Sequence, residues 1–200
     1  LLYVIVGTVL GARLFYVFAY NLPFYMQNPG QIIAVWNGGL SFHGVLIGAT
    51  IAAFYFCKKK KVSFYTIADI AVIPLALGLA LGRLGNFTNG ELFGRVTNVP
   101  WSVKFPDAEG ARHPSQIYAS FKNLIIFFTL WVVKDKKLPA GFMFWLFVIM
   151  YSVLRFTVEF FRQPDPQLGF IIGFLSMGQI LSIIMFSIGA FFMYKVRKHD

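Results

Sequence analysis

The chain has 200 residues, of which 58% are hydrophobic and only 13% are charged. A soluble domain carries about 25% charged residues. The apolar residues here come in blocks of roughly 18 to 20, which excludes an ordinary soluble domain and a disordered chain. The single cysteine, Cys57, excludes an internal disulfide. Composition therefore predicts an all-α, polytopic bundle of transmembrane helices.

Six apolar runs are long enough to be predicted as membrane spans, and together they form a single integral membrane domain over residues 1–200. In chain order the predicted spans are 1–20, 40–57, 64–82, 117–133, 141–161 and 170–194. The first residue is Leu1 rather than Met, and it lies inside an apolar run. We therefore expect the domain to be truncated at its N-terminus.

The net charge of +10 is mostly explained by membrane topology. Lysines and arginines cluster after the second, fourth and sixth predicted spans, at 58–61, 134–137 and 195–198. With alternating spans these clusters share one side, which the positive-inside rule makes cytoplasmic, together with the C-terminus. The outer-facing segments are then about 21–42, 83–116 and 162–169. No nucleic-acid partner is expected, because the positive charge is accounted for by the cytoplasmic loops.

The fifth predicted span contains charged residues, which are costly inside a membrane. Tyr151, Arg155 and Glu159 follow a spacing of four residues, so they share one helix face. A charged residue at a helix centre costs roughly 2.5–3.5 kcal/mol on insertion scales, and such residues usually face the bundle interior. The face is either part of a functional site or an Arg155–Glu159 pair that only fixes helix packing.

Residues 82–95 form a polar, glycine-rich segment that we place at the outer mouth of the third span. Its glycines favour tight turns and close approach of the backbone to a ligand. Arg83 and a second arginine at the end of the segment offer planar forks suited to phosphate. Asn86 and Asn89 add neutral hydrogen-bonding groups, and Glu91 could anchor an arginine. The alternative is a loop that enters the bundle for packing alone.

His43 follows a second glycine-rich segment at the predicted outer face. It is either a general base or phosphate donor, or a structural histidine whose hydrogen bonds are satisfied. Ser115 is predicted to cap the fourth span, with Pro114 setting the entry of the helix. We find no set of His, Cys and carboxylate residues with metal-ligand spacing, so no metal site is predicted.

A site dominated by arginine at the depth of lipid headgroups suggests a phosphorylated lipid as its ligand. Three classes of function are compatible with such a site: a lipid-modifying enzyme, a transporter or flippase for an anionic lipid, and a non-catalytic membrane scaffold. A transporter would favour inverted repeats with broken helices in both halves, which we do not find. A scaffold does not explain why costly polar groups converge.

The 82–95 block resembles the signature of the bacterial prolipoprotein diacylglyceryl transferases. Residues 38–44, 113–116 and 155–165 are similar to the other blocks of that family, in the same order. The resemblance covers essentially the whole chain. It implies a bundle of seven spans with a cytoplasmic C-terminus, so that one further span would precede Leu1.

The resemblance also implies an activity. The family transfers the diacylglyceryl group of phosphatidylglycerol to the thiol of the lipobox cysteine of preprolipoproteins. A thioether forms and glycerol 1-phosphate is released, which is the first step of bacterial lipoprotein maturation. The implied location is the bacterial cytoplasmic (inner) membrane, with the active site toward the outer leaflet and no cofactor. The implied partners are phosphatidylglycerol, the signal peptide of the preprolipoprotein and membrane lipids.

Residue by residue, the resemblance assigns two sets of site residues. The predicted catalytic residues are His43, Arg83 and Arg155. The residues predicted to bind phosphatidylglycerol are Arg83, Asn86, Asn89, Glu91, Gly94, Tyr151, Arg155 and Glu159.

Overall fold

The structure is a computed structural model that describes residues 2–163, 170–173 and 175–198. The described residues form seven α-helices and two short antiparallel sheets, β1–β2 and β3–β4. The elements are α1 (Leu2–Ala19), α2 (Leu22–Gln27), α3 (Phe42–Lys60), α4 (Phe64–Thr88), β1 (Val103–Lys104), β2 (Ala111–Arg112), α5 (Ser115–Val133), α6 (Phe142–Glu159), β3 (Phe170–Ile172), β4 (Leu175–Ser176) and α7 (Met177–Lys198). The predicted outer segment 162–169 lies largely outside the described residues, since only Arg162 and Gln163 of it are described.

Five of these helices, α1, α4, α5, α6 and α7, are long and apolar enough to cross a membrane. The prediction of an all-α, polytopic membrane bundle is thereby confirmed. The predicted second span, 40–57, forms helix α3, but α3 is not one of the five. Its last turn includes Lys58, Lys59 and Lys60, which lower its hydropathy.

Two predicted boundaries were wrong. Helix α4 continues past its predicted end at 82 and stops at Thr88, so Gly82 and Gly85 are helical and do not form turns. A Cβ added at either glycine would meet nothing within 4 Å, so neither position needs a glycine for close packing. The sixth span begins at Met177 rather than at 170, because the β3–β4 hairpin occupies the preceding residues.

The chain divides into two compact units, Leu1–Ile67 and Ala68–Asp200. In the first unit, α1 and α3 pack through glycines spaced four residues apart, Gly7 and Gly11 on α1 and Gly44 and Gly48 on α3. A Cβ on Gly11 would lie 2.7 Å from the Cα of Gly48, and a Cβ on Gly48 would lie 2.8 Å from the Cα of Gly11. Such small residues let two membrane helices approach until their backbones touch.

Arg13 of α1 fixes the loop between α2 and α3. Its side chain is only 4% exposed, and its guanidinium lies 5.1 Å from the centre of the Tyr25 ring. Arginine has five N–H donors, and here all five are directed at backbone carbonyl oxygens. The acceptors are the carbonyls of Gln31, Ile32, Ala34, Gly38 and Gly39. Arg13 is therefore a structural residue of the first unit.

In the second unit, hydrogen bonds between helices fix the position of each helix along its neighbours. The carboxylate of Asp69, near the start of α4, accepts from the backbone N–H groups of Gly141 at 2.6 Å and Phe144 at 2.8 Å. These donors belong to the start of α6, where an anionic cap is favourable. Ser120 of α5 donates to the carbonyl of Ala80 on α4 at 3.0 Å. Asp69 lies beside the start of α6, and Gly94, which follows α4, pairs with Arg162, which follows α6. Helices α4 and α6 therefore run in the same direction, and their C-terminal ends lie on the same side.

Candidate anion-binding site

The polar faces of α4 and α6 meet near their C-terminal ends. Arg155 and Glu159 form an ion pair of 2.5 Å, and their side chains are 16% and 7% exposed. Arg83, five residues before the end of α4, interacts electrostatically with Tyr151, Arg155 and Glu159. The structure thus brings four predicted site residues together, and it confirms that Arg155 and Glu159 are paired along one helix face.

Glu159 is in turn held by the start of α7. Its Oε1 accepts from the Ser176 hydroxyl at 2.9 Å. A Cβ added at Gly178 would lie 2.7 Å from the same oxygen, so a larger residue there would displace the carboxylate. The Arg155 guanidinium is therefore oriented by a carboxylate that is itself fixed by a neighbouring element. Ser176 and Gly178 were missed at the sequence level, because the α7 boundary was placed too early.

The residues after α4 form a turn closed by side chains of the 82–95 block. Gly90 adopts a φ of +71°, which favours glycine. The Asn86 amide donates to Glu91 Oε2 at 3.2 Å, and Gln116 of α5 donates to the carbonyl of Glu91 at 2.6 Å. Glu91 therefore positions Asn86, and its expected pairing with an arginine stays a prediction. Asn89 lies on the exposed side of the turn.

Gly94 lies where three chain segments cross. Its N–H donates to the carbonyl of His113 at 2.9 Å, and the next residue, Arg95, donates from its N–H to the carbonyl of Phe161 at 2.9 Å. A Cβ on Gly94 would lie 2.5 Å from the His113 oxygen and 2.6 Å from the Phe161 oxygen. Only glycine fits between these two backbones, so Gly94 aligns the end of α6 with the loop that follows α4.

The predicted cap of α5 was wrong. Helix α5 begins at Ser115 with Pro114 at the N-cap position, so the serine is the first helical residue. The Ser115 hydroxyl instead donates to the carbonyl of Leu92 at 3.0 Å. A serine at this position therefore ties the 82–95 block to the start of α5, beside the bond from Gln116.

His43 lies in the first unit, in the first turn of α3. The N-cap of this helix is Ser41, whose hydroxyl accepts from the N–H of Gly44 at 3.4 Å. The His43 side chain is exposed, its ring stacks on Phe15, and its Nδ1 lies 3.5 Å from the hydroxyl of Tyr20. Its predicted convergence with the arginines of α4 and α6 stays a prediction.

Sequence reasoning did not assign Lys122 to the site. This residue lies in the middle of α5, and its side chain is only 4% exposed. Its Nζ donates to Asn123 Oδ1 at 2.8 Å and lies 3.8 Å from the centre of the Tyr151 ring. The charges of Arg83 and Arg155 both act on it. The sequence could have identified Lys122 as a candidate site residue, because a charge inside an apolar span usually marks a functional site.

These observations define a multi-pass membrane protein with a partly buried cluster that contains Arg83 and Arg155. The family model described as "Prolipoprotein diacylglyceryl transferase" matches residues 1–195. The chain belongs to this family, and it is a transferase.

Three relatives show how far the similarity extends. A protein from Geobacter sulfurreducens is 50% identical over 186 residues, which cover 92% of this chain and 72% of the relative. A protein from Nitratidesulfovibrio vulgaris is 44% identical over 190 residues, covering 94% and 72%. A protein from Francisella tularensis is 43% identical over 204 residues, covering 98% and 76%. Each of the three is named phosphatidylglycerol--prolipoprotein diacylglyceryl transferase.

Proposed function

We propose that this chain transfers the diacylglyceryl group of phosphatidylglycerol to the cysteine thiol of a preprolipoprotein, and that Arg83 and Arg155 bind the phosphate. Family membership and the names of the relatives support the reaction. The observation that carries the site is the buried Arg155–Glu159 pair beside Arg83. Two guanidinium groups at this depth suit a lipid phosphate, because arginine recognises phosphate through paired, charge-assisted hydrogen bonds.

The reaction requires stabilisation of growing negative charge on the leaving group. The thiolate sulfur attacks the diacylglyceryl carbon that carries the phosphate oxygen, and a carbon–sulfur bond forms. The carbon–oxygen bond breaks with its electron pair on oxygen, so glycerol 1-phosphate leaves as a phosphate monoester. Fixed cationic donors stabilise such charge most strongly in a low-dielectric site. Glu159 and Ser176 hold Arg155 in place before the charge develops.

The nucleophile also has to lose a proton. A cysteine thiol has an unperturbed pKa of about 8.5, so only a few per cent is thiolate at pH 7. We assign the base to His43, whose exposed imidazole lies beside Tyr20 at the start of α3. An exposed base suits a thiol that is delivered by a separate polypeptide.

The remaining predicted residues have supporting roles in this proposal. Asn86, held by Glu91, and Asn89, on the exposed side of the turn, position the glycerol or phosphate groups of the lipid. Tyr151 contributes a hydroxyl next to the arginines. Gly94 preserves the backbone crossing that aligns these groups.

The proposed location is the cytoplasmic membrane, with the site toward the outer leaflet. Basic residues occupy the last turns of α3 and α7, in agreement with two of the three clusters assigned to the cytoplasm. Arg83 and Arg155 lie toward the C-terminal ends of α4 and α6, on the side opposite to these basic clusters in the proposed topology.

The test is transfer in phosphatidylglycerol liposomes with a lipobox peptide, followed by release of glycerol phosphate and the mass gain of the peptide. We expect transfer by the wild-type protein. In Arg155→Ala, loss of one charge-stabilising donor should lower the rate by about 10²-fold or more. Lys104→Ala, which changes an exposed lysine on β1, is the matched control. Equal turnover by Arg155→Ala would remove the role of Arg155. A wild-type protein that inserts and moves fluorescent phosphatidylglycerol between leaflets without transfer would instead favour a flippase.

A further inference from the structure

Lys122 is a buried charge that the reaction described above does not use. Both of its close contacts are neutral, since its Nζ meets the Asn123 amide oxygen and the Tyr151 ring. An ammonium has three N–H donors. Among the described residues the amide takes one, the ring face can take a second, and no partner is described for the third. Burying such a charge in a membrane helix is costly unless an anion balances it.

The described charges around Lys122 are predominantly positive. Arg83 and Arg155 both repel its ammonium, while the Glu159 carboxylate neutralises only one of the three positive groups. Among the described residues, the positive groups of the cluster thus outnumber its one carboxylate, and Arg162 adds a further positive charge beside Arg83. The phosphate of phosphatidylglycerol carries one negative charge, and the leaving monoester carries up to two. This excess of positive charge therefore stabilises the dianionic leaving group more than the monoanionic lipid.

We infer that the Lys122 ammonium is a third phosphate-binding group, which stabilises the second negative charge as glycerol phosphate leaves. This inference rests on the proposed function and adds to it a residue in the middle of a membrane helix. The contact with Tyr151 directs the ammonium toward the face of α6 that carries Arg155, one turn further along that helix.

A cavity borders the side chain of Lys122. It has a volume of about 360 Å³, lies between α5 and α6, and is lined by Lys122 together with residues such as Phe121, Leu154 and Thr157. This volume is within the range of about 300–1,000 Å³ found for small-ligand sites. Its lining is almost entirely apolar and does not include Arg83 or Arg155, so it suits the hydrocarbon of a lipid rather than its head group.

The test compares Lys122→Met with Lys104→Met in phosphatidylglycerol liposomes. Methionine keeps the length of the side chain and removes its charge. We expect Lys122→Met to lower kcat by about 10²-fold, similar to the loss of an oxyanion donor. The KM for phosphatidylglycerol should change much less, because the second charge appears only as the bond breaks. Lys122→Arg should recover part of the lost kcat, and Lys104→Met should match the wild type.

A second measurement does not depend on turnover. Glycerol 1-phosphate at pH 7 should raise the thermal midpoint of the wild-type protein in a neutral detergent, because a ligand that binds only the folded state stabilises it. The rise should be lost in Lys122→Met and retained in Lys104→Met. If Lys122 only supported Tyr151, the variant would melt earlier without ligand and keep the full rise. If the Met variant fails to insert, Lys122→Gln replaces it.

The outcomes separate the two proposals. A wild-type kcat in Lys122→Met, or an unchanged rise with glycerol 1-phosphate, would overturn the role of Lys122 and leave the transfer reaction standing. Absence of transfer by the wild type would overturn the proposed reaction. The midpoint shift would still decide whether Lys122 binds a phosphate dianion.

Discussion

Gly94→Ala should damage the protein far more than its single added methyl group suggests. The new Cβ would lie 2.5 Å from the His113 carbonyl oxygen and 2.6 Å from both the His113 Cβ and the Phe161 carbonyl oxygen. Two of these three atoms are backbone oxygens of different segments. Neither can retreat without stretching a 2.9 Å hydrogen bond, Gly94 to His113 or Arg95 to Phe161.

The magnitude follows from these contacts. Overpacking costs about 1–3 kcal/mol, and weakening a backbone hydrogen bond adds about 0.5–1.5 kcal/mol. A total of about 2–4 kcal/mol lowers the melting temperature of a 150–250-residue protein by roughly 4–16 °C. Since the crossing joins the end of α6 to the loop after α4, transfer activity should fall even below the new melting temperature.

The assay is thermal unfolding of both proteins in the same detergent. Transfer is measured in liposomes about 20 °C or more below the midpoint of the variant, so that the variant is folded during the assay. The matched control is Gly78→Ala on α4, where an added Cβ meets nothing within 4 Å. Alanine in an exposed helix position should be neutral or stabilise by up to about 1 kcal/mol. A Gly94→Ala protein with the midpoint and activity of the wild type would refute the argument from backbone contact.

Two further changes test the contacts within each unit. Gly11→Leu should separate α1 from α3, because the new side chain would enter the space occupied by the Gly48 backbone. Overpacking of this kind costs about 1–3 kcal/mol or more. Proteolysis of the first unit should increase, and unchanged resistance to proteolysis would contradict close glycine packing. Asp69→Ala should lower stability by about 1–2 kcal/mol, since two N–H donors at the start of α6 lose their cap. Thermal unfolding measures this loss, and Asp69→Asn, which keeps an acceptor, should recover part of it.

Hydrophobicity was sufficient to find the five helices that are long and apolar enough to cross a membrane, although it also predicted α3 as a sixth span. Hydrophobicity was not sufficient to predict where these helices end. Gly82 and Gly85 suggested turns, yet both continue α4, since a helix in an apolar environment tolerates glycine where no neighbour contacts it. The two-residue strands β1 and β2 were not predicted, because their pairing depends on the backbone crossing beside them.

The site was predicted where residues are related by helix periodicity and missed where they are related by packing. Tyr151, Arg155 and Glu159 follow a spacing of four, so their shared face and the ion pair could be anticipated. Ser176 could not, because its contact with Glu159 depends on how α7 packs against α6. The position of Lys122 beside Tyr151 could not be predicted either, because it depends on the packing of α5 against α6.

Arg13 constrains the loop after α2 through backbone atoms, which determines where that loop can change its sequence. Every amino acid supplies a carbonyl oxygen, so the partly or fully exposed side chains of Gln31 and Ile32 can be replaced without removing an acceptor. Gly38 and Gly39 differ, because their φ values of +80° and +72° disfavour other residues. The loop can therefore acquire new surface chemistry toward its surroundings while Arg13 and the two glycines keep its shape.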